Sequence, residues 1–221
     1  MKNLLFVGSN SLLARSLLSY LKLSNVNLNI YKISSKKSNE ANTFFIKIYA
    51  DNELSTIFNK IILEKKIDTI FIFNGSSDEN KNYSQIIDIN MRVPIKIIEL
   101  CNDISLNNKI HLKVIFISSV ASKFIKLSNY VYGLSKFFVE MYLLNKSFQN
   151  KFLSYLIFRL GPFESKLTQN FRPRFLIANI NSISIKIYKN LGKNNKAITL
   201  PKFWFFINIL LNLFPFLKKK L

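Results

Sequence analysis

The stretch Leu4-Leu5-Phe6-Val7-Gly8-Ser9-Asn10-Ser11-Leu12-Leu13-Ala14 decides the fold of this chain. Its first four residues form an unbroken apolar run, which predicts a strand buried on both faces of a sheet. A helix pattern begins just after the glycine, and a helix N-terminus that follows a strand offers backbone N–H groups to an anion such as phosphate. We therefore predict an anion-binding turn formed by Gly8, Asn10, Ser11, Leu12 and Leu13. An ordinary strand–turn–helix connection with a polar cap is the alternative.

Beyond this turn, short apolar runs alternate with longer helical patterns along the whole chain. The predicted strands cover residues 4–7, 27–33, 43–48, 69–73, 113–117 and 153–160, and the predicted helices cover 11–21, 53–65, 85–102 and 132–148. This order predicts a parallel sheet with helices on both faces. The expected fold class is α/β, a Rossmann-type doubly wound parallel sheet of about seven strands. We predict one such domain over residues 1–200, followed by a tail over residues 201–221.

The composition excludes several classes of protein. With one cysteine, Cys101, and one histidine, His111, the chain has no disulfide framework, and we expect no metal site and a reducing, cytoplasmic setting. The N-terminal apolar run is too short for a signal peptide. The net charge of +20 either attracts an anionic partner or reflects a mutational bias toward residues with AT-rich codons, such as Lys, Asn, Ile and Phe. We expect no nucleic-acid binding, because no aromatic-basic surface motif accompanies the charge.

Three residues have the spacing of an acid–base site. Ser119 closes the fifth predicted strand, Tyr132 follows thirteen residues later, and Lys136 comes one helical turn after the tyrosine. Residues four apart share a helix face, and a nearby ammonium favours the phenolate of a tyrosine. Tyr132 could then exchange a proton with a substrate oxygen that Ser119 binds. A surface tyrosine and lysine on an amphipathic helix is the alternative, and the serine at the strand end argues against it.

Together with the N-terminal turn, these three residues resemble the short-chain dehydrogenase/reductases from Leu4 to about Leu200. The resemblance implies an NAD(P)-dependent oxidoreductase in which Lys136 and Tyr132 also bind the cofactor. It further implies that Asn74 and Gly75 approach the adenosine ribose, that Asn90 relays protons, and that Gly161, Pro162, Phe163 and Ser165 close over the nicotinamide. The chain departs from the family pattern at Leu12, which replaces a glycine, and at Ile48, which replaces an adenine-contacting aspartate.

The residues after the second predicted strand bear on the choice of cofactor. An acidic residue there would bind the ribose 2′-hydroxyl of NAD. The sequence instead reads Ser34-Ser35-Lys36-Lys37, and no acid occurs before Glu40. Hydroxyl and ammonium groups suit a 2′-phosphate, so we predict a preference for NADP(H), with Ser34 and Lys36 at the phosphate. NAD(H) remains an alternative cofactor, and a solvated basic loop is the alternative interpretation of these residues.

The tail has an unusual composition. Its apolar part, residues 203–217, is shorter than the roughly 20 residues that span a bilayer, and Asn208, Asn212 and Pro215 interrupt it. Aromatic residues flanked by lysines are typical of the membrane interface. We predict an amphipathic helix within residues 202–221 that associates peripherally with the inner face of the cytoplasmic membrane, with Lys218–Lys220 on anionic head groups. A helix packed on the core or on another subunit is the alternative.

The tail also resembles the ending of the decaprenylphosphoryl-pentose 2-keto reductases of envelope polysaccharide pathways. This resemblance implies that the enzyme reduces a keto group, or oxidises a hydroxyl, on a sugar or a lipid-linked sugar. A sugar-nucleotide epimerase or dehydratase with bound NAD is one alternative, although only about 60 residues follow Gly161. A non-catalytic scaffold at a membrane is another. The family resemblance implies a homodimer or homotetramer, in which the helices that begin near Gln85 and Tyr132 pair.

Overall fold

The computed structural model describes residues 2–24, 28–34, 41–46, 51–76, 82–125 and 129–214. Its centre is a seven-stranded sheet in the order β3-β2-β1-β4-β5-β6-β7, and every neighbouring pair of strands is parallel. The strands are β1 Lys2–Val7, β2 Leu28–Ser34, β3 Thr43–Phe45, β4 Thr69–Ile72, β5 Leu112–Ser119, β6 Leu153–Leu160 and β7 Lys196–Leu200. The predicted doubly wound parallel sheet is confirmed.

Seven α-helices surround the sheet in the described part of the chain. They are α1 Leu12–Leu23, α2 Asp51–Glu64, α3 Tyr83–Ile87, α4 Val93–Asn108, α5 Tyr130–Gln149, α6 Ile180–Lys189 and α7 Phe203–Leu213. Apolar residues of α2, α4 and α5 pack on one face of the sheet, and those of α1 and α6 pack on the other. Strand β1 serves both layers, because Leu5 faces the first and Phe6 the second. This double burial explains its unbroken apolar sequence.

The helix predicted over residues 85–102 begins earlier, ends later and is interrupted. A π-helical turn, Asp88–Arg92, separates α3 from α4, and Pro94 follows within the first turn of α4. Proline lacks an N–H group and its ring collides with the preceding turn of a regular helix. A π-turn is one way to accommodate the irregularity, and such turns occur frequently at functional sites. Here the turn contains Asn90.

The sequence pattern did not predict helix α6. Isoleucines alternate with polar residues over 183–187, a period that is typical of a strand. The side chain of Asn179 caps the helix by accepting hydrogen bonds from the N–H groups of Asn181 and Ser182. The fully buried side chains of Ile183 and Ile187, one turn apart, then pack against the sheet.

The C-terminal segment packs on the domain. Helix α7 buries Trp204, Asn208 and Leu211 on one face, where Val120, Phe124 and Leu176 form a separate apolar cluster with it. Its exposed face carries Phe205, Phe206, Ile209 and Leu213, so the predicted amphipathic character is not confirmed. Lys218–Lys220 lie outside the described residues. Among the helices of the described ranges, none has the length and apolarity needed to cross a membrane.

Candidate active site

A cavity lies where the chain direction across the sheet reverses. Strand β1 leads to β2 and β3 on one side, whereas β4 to β7 lie on the other, and ligands of such sheets bind at the carboxyl ends of the strands beside this reversal. The cavity has a volume of about 830 Å³, within the usual range of ligand sites. It brings together the following predicted site residues: Ser11, Leu12, Leu13, Gly75, Ser119, Tyr132, Lys136, Gly161, Pro162, Phe163 and Ser165.

Ser119 and Tyr132 meet at this cavity. Ser119 is the last residue of β5, and its hydroxyl also accepts a hydrogen bond from the Ala121 N–H at 3.2 Å. Tyr132 lies in the first turn of α5. Burial raises the pKa of the Tyr132 phenol, and a hydrogen bond from the Ser119 side chain opposes that rise. Both predicted residues therefore line one cavity, and their roles in proton transfer stay a prediction.

Lys136 lies one turn further along α5 and is only 3% exposed. Its ammonium donates hydrogen bonds to the carbonyl oxygens of Asn74 at 2.9 Å and Ile117 at 3.1 Å, so it connects the ends of β4 and β5. It also lies over the ring of Phe116, with Nζ 4.9 Å from the ring centroid. Burial lowers the pKa of Lys136 to about 7, and the nearby carboxylate of Glu140 opposes that change. A lysine poised in this way can change protonation state near neutral pH.

Two further predicted site residues, Asn74 and Asn90, contact residues that line the cavity. Asn90 is fully buried, and its side-chain amide pairs with the backbone of Ser76 in both directions, each hydrogen bond being 2.7 Å long. This pairing fixes the loop that contains Gly75. The side-chain oxygen of Asn74 is buried and has no hydrogen-bond partner among the described residues. The side-chain amide of Asn90 is therefore occupied by the Ser76 backbone. Its role in proton relay stays a prediction.

The turn between β1 and α1 has the form that a dinucleotide phosphate requires. Gly8 has a φ of +79°, and a Cβ there would meet the backbone nitrogen of Asn74 at 3.2 Å. Ser11 caps α1 by accepting a hydrogen bond from the Ala14 N–H at 3.1 Å. Ser11 and Leu12 both line the cavity, so the N-terminus of α1 lies on the cavity wall. The first turn of α1 contains no acidic residue that would repel an anion. The residues present therefore fit a nicotinamide dinucleotide.

The residues predicted to select NADP(H) are only partly described. Ser34 is buried at the end of β2, and its hydroxyl accepts a hydrogen bond from the Asn10 side chain at 2.6 Å. This bond links the anion-binding turn to the end of the second strand. Lys36 and Ile48 lie outside the described residues. The contact of Ser34 and Lys36 with a 2′-phosphate stays a prediction.

Several residues of the site belong to no recognisable motif in the sequence. The cavity wall also contains Phe124, Asn129, Thr168, Asn170, Phe171 and Trp204. Trp204 belongs to the predicted tail, and nothing local in the sequence indicates that it returns to the site. Behind the wall lies Glu140, and its spacing of four residues from Lys136 was an available signal. The described residues contain no group of three or more acidic, histidine or cysteine side chains that could hold a metal.

Comparisons with known proteins agree with this fold. The sequence model of the NAD dependent epimerase/dehydratase family matches residues 4–195. No curated protein matches significantly. A short-chain dehydrogenase from Burkholderia cenocepacia, solved in complex with NADP, superposes with a TM-score of 0.80 at 12% identity, over 97% of this chain and 96% of that one.

Sugar-nucleotide enzymes are also similar in structure. UDP-glucose 4-epimerase from Thermotoga maritima, solved with UDP-glucose, superposes with a TM-score of 0.68 at 12% identity, over 90% of this chain and 76% of that one. The dTDP-glucose 4,6-dehydratase from Bacillus anthracis, solved with NAD, gives 0.68 at 14% identity, over 90% and 75%. At these identities the similarity establishes the fold alone. The resemblance to short-chain dehydrogenases seen in the sequence is confirmed at that level.

Proposed function

Because the chain belongs to the NAD-dependent epimerase/dehydratase family, we propose that it is an NADP(H)-dependent oxidoreductase that interconverts a keto group and a hydroxyl on a sugar or lipid-linked sugar. The observation that supports this proposal most directly is that Ser119 and Tyr132 line the wall of one cavity. Lys136 lines the same cavity. These are the three groups needed to bind a carbonyl oxygen and give it a proton.

The chain's own residues account for the proton chemistry. Tyr132 donates its phenolic proton to the substrate oxygen during reduction, and recovers a proton afterwards. Ser119 donates a hydrogen bond that stabilises negative charge, first on the phenol oxygen and then on the substrate oxygen. The Lys136 ammonium, held by two carbonyl groups, favours the phenolate electrostatically. When bound, the nicotinamide would supply or accept the hydride.

The composition of the cavity is compatible with a sugar. Aromatic side chains of Phe124, Phe171 and Trp204 provide an apolar wall, and Asn129 and Asn170 add polar groups. Ligand sites typically combine an apolar lining with a few polar groups that fix orientation. We therefore favour a polar ring with an apolar attachment as the substrate, which a lipid-linked sugar would satisfy.

An epimerase or dehydratase that retains NAD is the second candidate, and the family match favours it as directly as the first. Such an enzyme would reuse its own cofactor in each turnover. Mass spectrometry of nucleotide released from the purified, denatured protein distinguishes the two. Stoichiometric NAD would favour the epimerase or dehydratase, whereas a nucleotide-free protein that binds NADPH reversibly would favour the oxidoreductase. A protein that binds no nucleotide would support the scaffold interpretation.

We also propose peripheral membrane association through residues 202–221. The exposed face of α7 is apolar, and Phe175, on the loop whose Leu176 carbonyl accepts a hydrogen bond from the Trp204 indole, is exposed as well. Arg172 and Arg174 precede that phenylalanine, and Glu164 is the only acidic residue after residue 160. Exposed aromatic rings beside a surplus of basic groups favour an anionic lipid surface.

The expected homodimer or homotetramer has one supporting feature. Helix α5 exposes Leu134, Phe138 and Met141, which recur at the spacing of one helix face. We propose that this apolar stripe pairs with a second copy of the chain. Light scattering of the Phe138→Glu variant tests the proposal, since a charge placed within the stripe should yield a monomer.

The catalytic proposal is tested with a panel of keto sugars and sugar nucleotides, by following the absorbance of NADPH. We expect turnover of at least one compound by the wild-type protein, and a loss of about 100-fold or more for Tyr132→Phe with nucleotide binding retained. A Tyr132→Phe variant that keeps wild-type turnover would contradict the proposal.

A further inference from the structure

A fully buried carboxylate lies behind the site, and the chemistry described above does not use it. Glu140 is 0% exposed. One of its oxygens accepts hydrogen bonds from the hydroxyls of Ser118 at 2.6 Å and Ser122 at 2.7 Å. The other accepts from the Arg159 guanidinium at 2.8 Å and 3.0 Å. Burying an ion pair carries a desolvation penalty even when its groups are hydrogen-bonded, which points to a role beyond stability.

We propose that Glu140 is a positioning residue of the active site, which fixes the backbone around Ser119 and supplies a counter-charge that favours the protonated form of Lys136. The inference rests on the proposed function only for the roles of Ser119 and Lys136.

The first half of the argument concerns Ser119. Its preceding neighbour, Ser118, donates to Glu140 from the end of β5. On the other side, the Ser122 hydroxyl contacts both the Glu140 carboxylate and, at 2.8 Å, the carbonyl oxygen of Ser119 itself. The strand end and the short turn that follows it are thus held to one carboxylate. The backbone that carries the Ser119 hydroxyl is thereby fixed on the cavity wall that also contains Tyr132.

The second half concerns charge. Tyr132, Lys136 and Glu140 follow one another at intervals of four residues on α5 and therefore share one helix face. Burial lowers the pKa of Lys136, and the Glu140 carboxylate is the group that opposes it. The cations that face Glu140 are Arg159, from β6, and Lys123, whose Nζ lies 3.9 Å away. Removing the carboxylate and removing the guanidinium should consequently shift the titration of Lys136 in opposite directions.

The experiment measures that titration directly in the full-length protein without nucleotide or substrate. The protein is labelled with ¹³C at lysine Cε, and the Lys136 signal is assigned by its loss in Lys136→Arg. We expect the titration midpoint of Lys136 to fall by about one pH unit in Glu140→Gln and to rise in Arg159→Gln. The control is Glu99→Gln, because Glu99 accepts a hydrogen bond from Tyr142 of α5 at 2.9 Å but lies outside the site. It should leave the midpoint unchanged.

An unchanged midpoint, or shifts of both variants in the same direction, would overturn the proposal. If Glu140→Gln does not fold, Arg159→Gln decides alone, because an upward shift supports the charge coupling and any other result rejects it. The titration requires no cofactor. If the protein binds no nucleotide, the proposed function is rejected. The titration of Lys136 still tests the role of Glu140 independently.

Discussion

The indole ring of Trp204 lies directly against Gly161, so closely that a Cβ at position 161 would overlap it. Gly161 follows β6, whereas Trp204 belongs to α7 near the end of the described chain. Both residues line the active-site cavity. The C-terminal helix is therefore part of the wall of the site, and the absence of a side chain at residue 161 is what permits this packing.

Replacing Gly161 with alanine should displace Trp204 and loosen the apolar cluster that it forms with Phe124 and Leu176. We expect the free energy of unfolding to fall by about 1–3 kcal/mol, which is typical of overpacking. Chemical denaturation measures the change. The matched control is Gly192→Ala, since a Cβ at Gly192 would have no neighbour within 4 Å. Equal stability of the two variants would show that the packing of Trp204 on Gly161 is not required.

Ser119→Ala removes the hydrogen bond that opposes the burial effect on Tyr132. The pKa of the Tyr132 phenol should therefore rise further, so that its ionisation moves to higher pH. Ultraviolet difference absorbance of the phenolate measures this, with Tyr132→Phe used to subtract the other tyrosines. As a control, Ser147→Ala changes a serine of α5 whose hydroxyl donates a hydrogen bond to the Leu144 carbonyl. A phenol that ionises at the same pH in Ser119→Ala and wild type would argue against a stabilising role for Ser119.

The lowered pKa of Lys136 makes stability depend on pH. With a folded-state value of about 7, below the ordinary 10.5, the unfolded chain binds more protons between these two values. The free energy of unfolding should then rise with pH in that window, by up to about 1.4 kcal/mol per pH unit from this group, and this contribution is lost as pH falls through about 7. Comparing wild type with Lys136→Met isolates it. The same dependence in both proteins would contradict the assignment.

Much of the fold follows from local patterns. The buried strand β1, the turn at Gly8 and the alternation of strands and helices predicted the parallel sheet, because these features depend on residues close together in sequence. Ser119, Tyr132 and Lys136 were predicted for the same reason, each being fixed to the end of a strand or the start of a helix. The prediction placed them at one site, and the structure brings them to one cavity.

Features that depend on distant packing were not predicted. The alternating isoleucines of α6 have the period of a strand, and only the tertiary environment selects the helix. Trp204 reaches the cavity because α7 folds back over the segment after β6, which no local pattern encodes. The partners of Glu140 come from β5, the turn after it and β6, so its burial could not be read from α5 alone.

Membrane association can be tested with vesicles. We expect the full-length protein to sediment with vesicles of phosphatidylglycerol, to bind phosphatidylcholine weakly, and to be released by salt as the Debye length shortens. A Phe205→Ser, Phe206→Ser variant should lose most of this binding, because these rings are 54% and 69% exposed. The control is Phe148→Ser on α5, which removes a ring that is 92% exposed. Equal binding by all three proteins would place the contact elsewhere, and a change of oligomeric state instead would indicate a second copy as the partner.

The central claim, a nicotinamide dinucleotide held beside Lys136, is tested most directly by titrating the purified protein with NADPH and with NADH while following nucleotide fluorescence. The comparison includes Lys136→Met and, as a matched control on the same helix, Lys146→Met, whose lysine packs on Tyr142. We predict saturable binding that is tighter for NADPH, that weakens at least about tenfold in Lys136→Met, and that is unchanged in Lys146→Met. Binding of neither nucleotide, or equal binding by all three proteins, would contradict it.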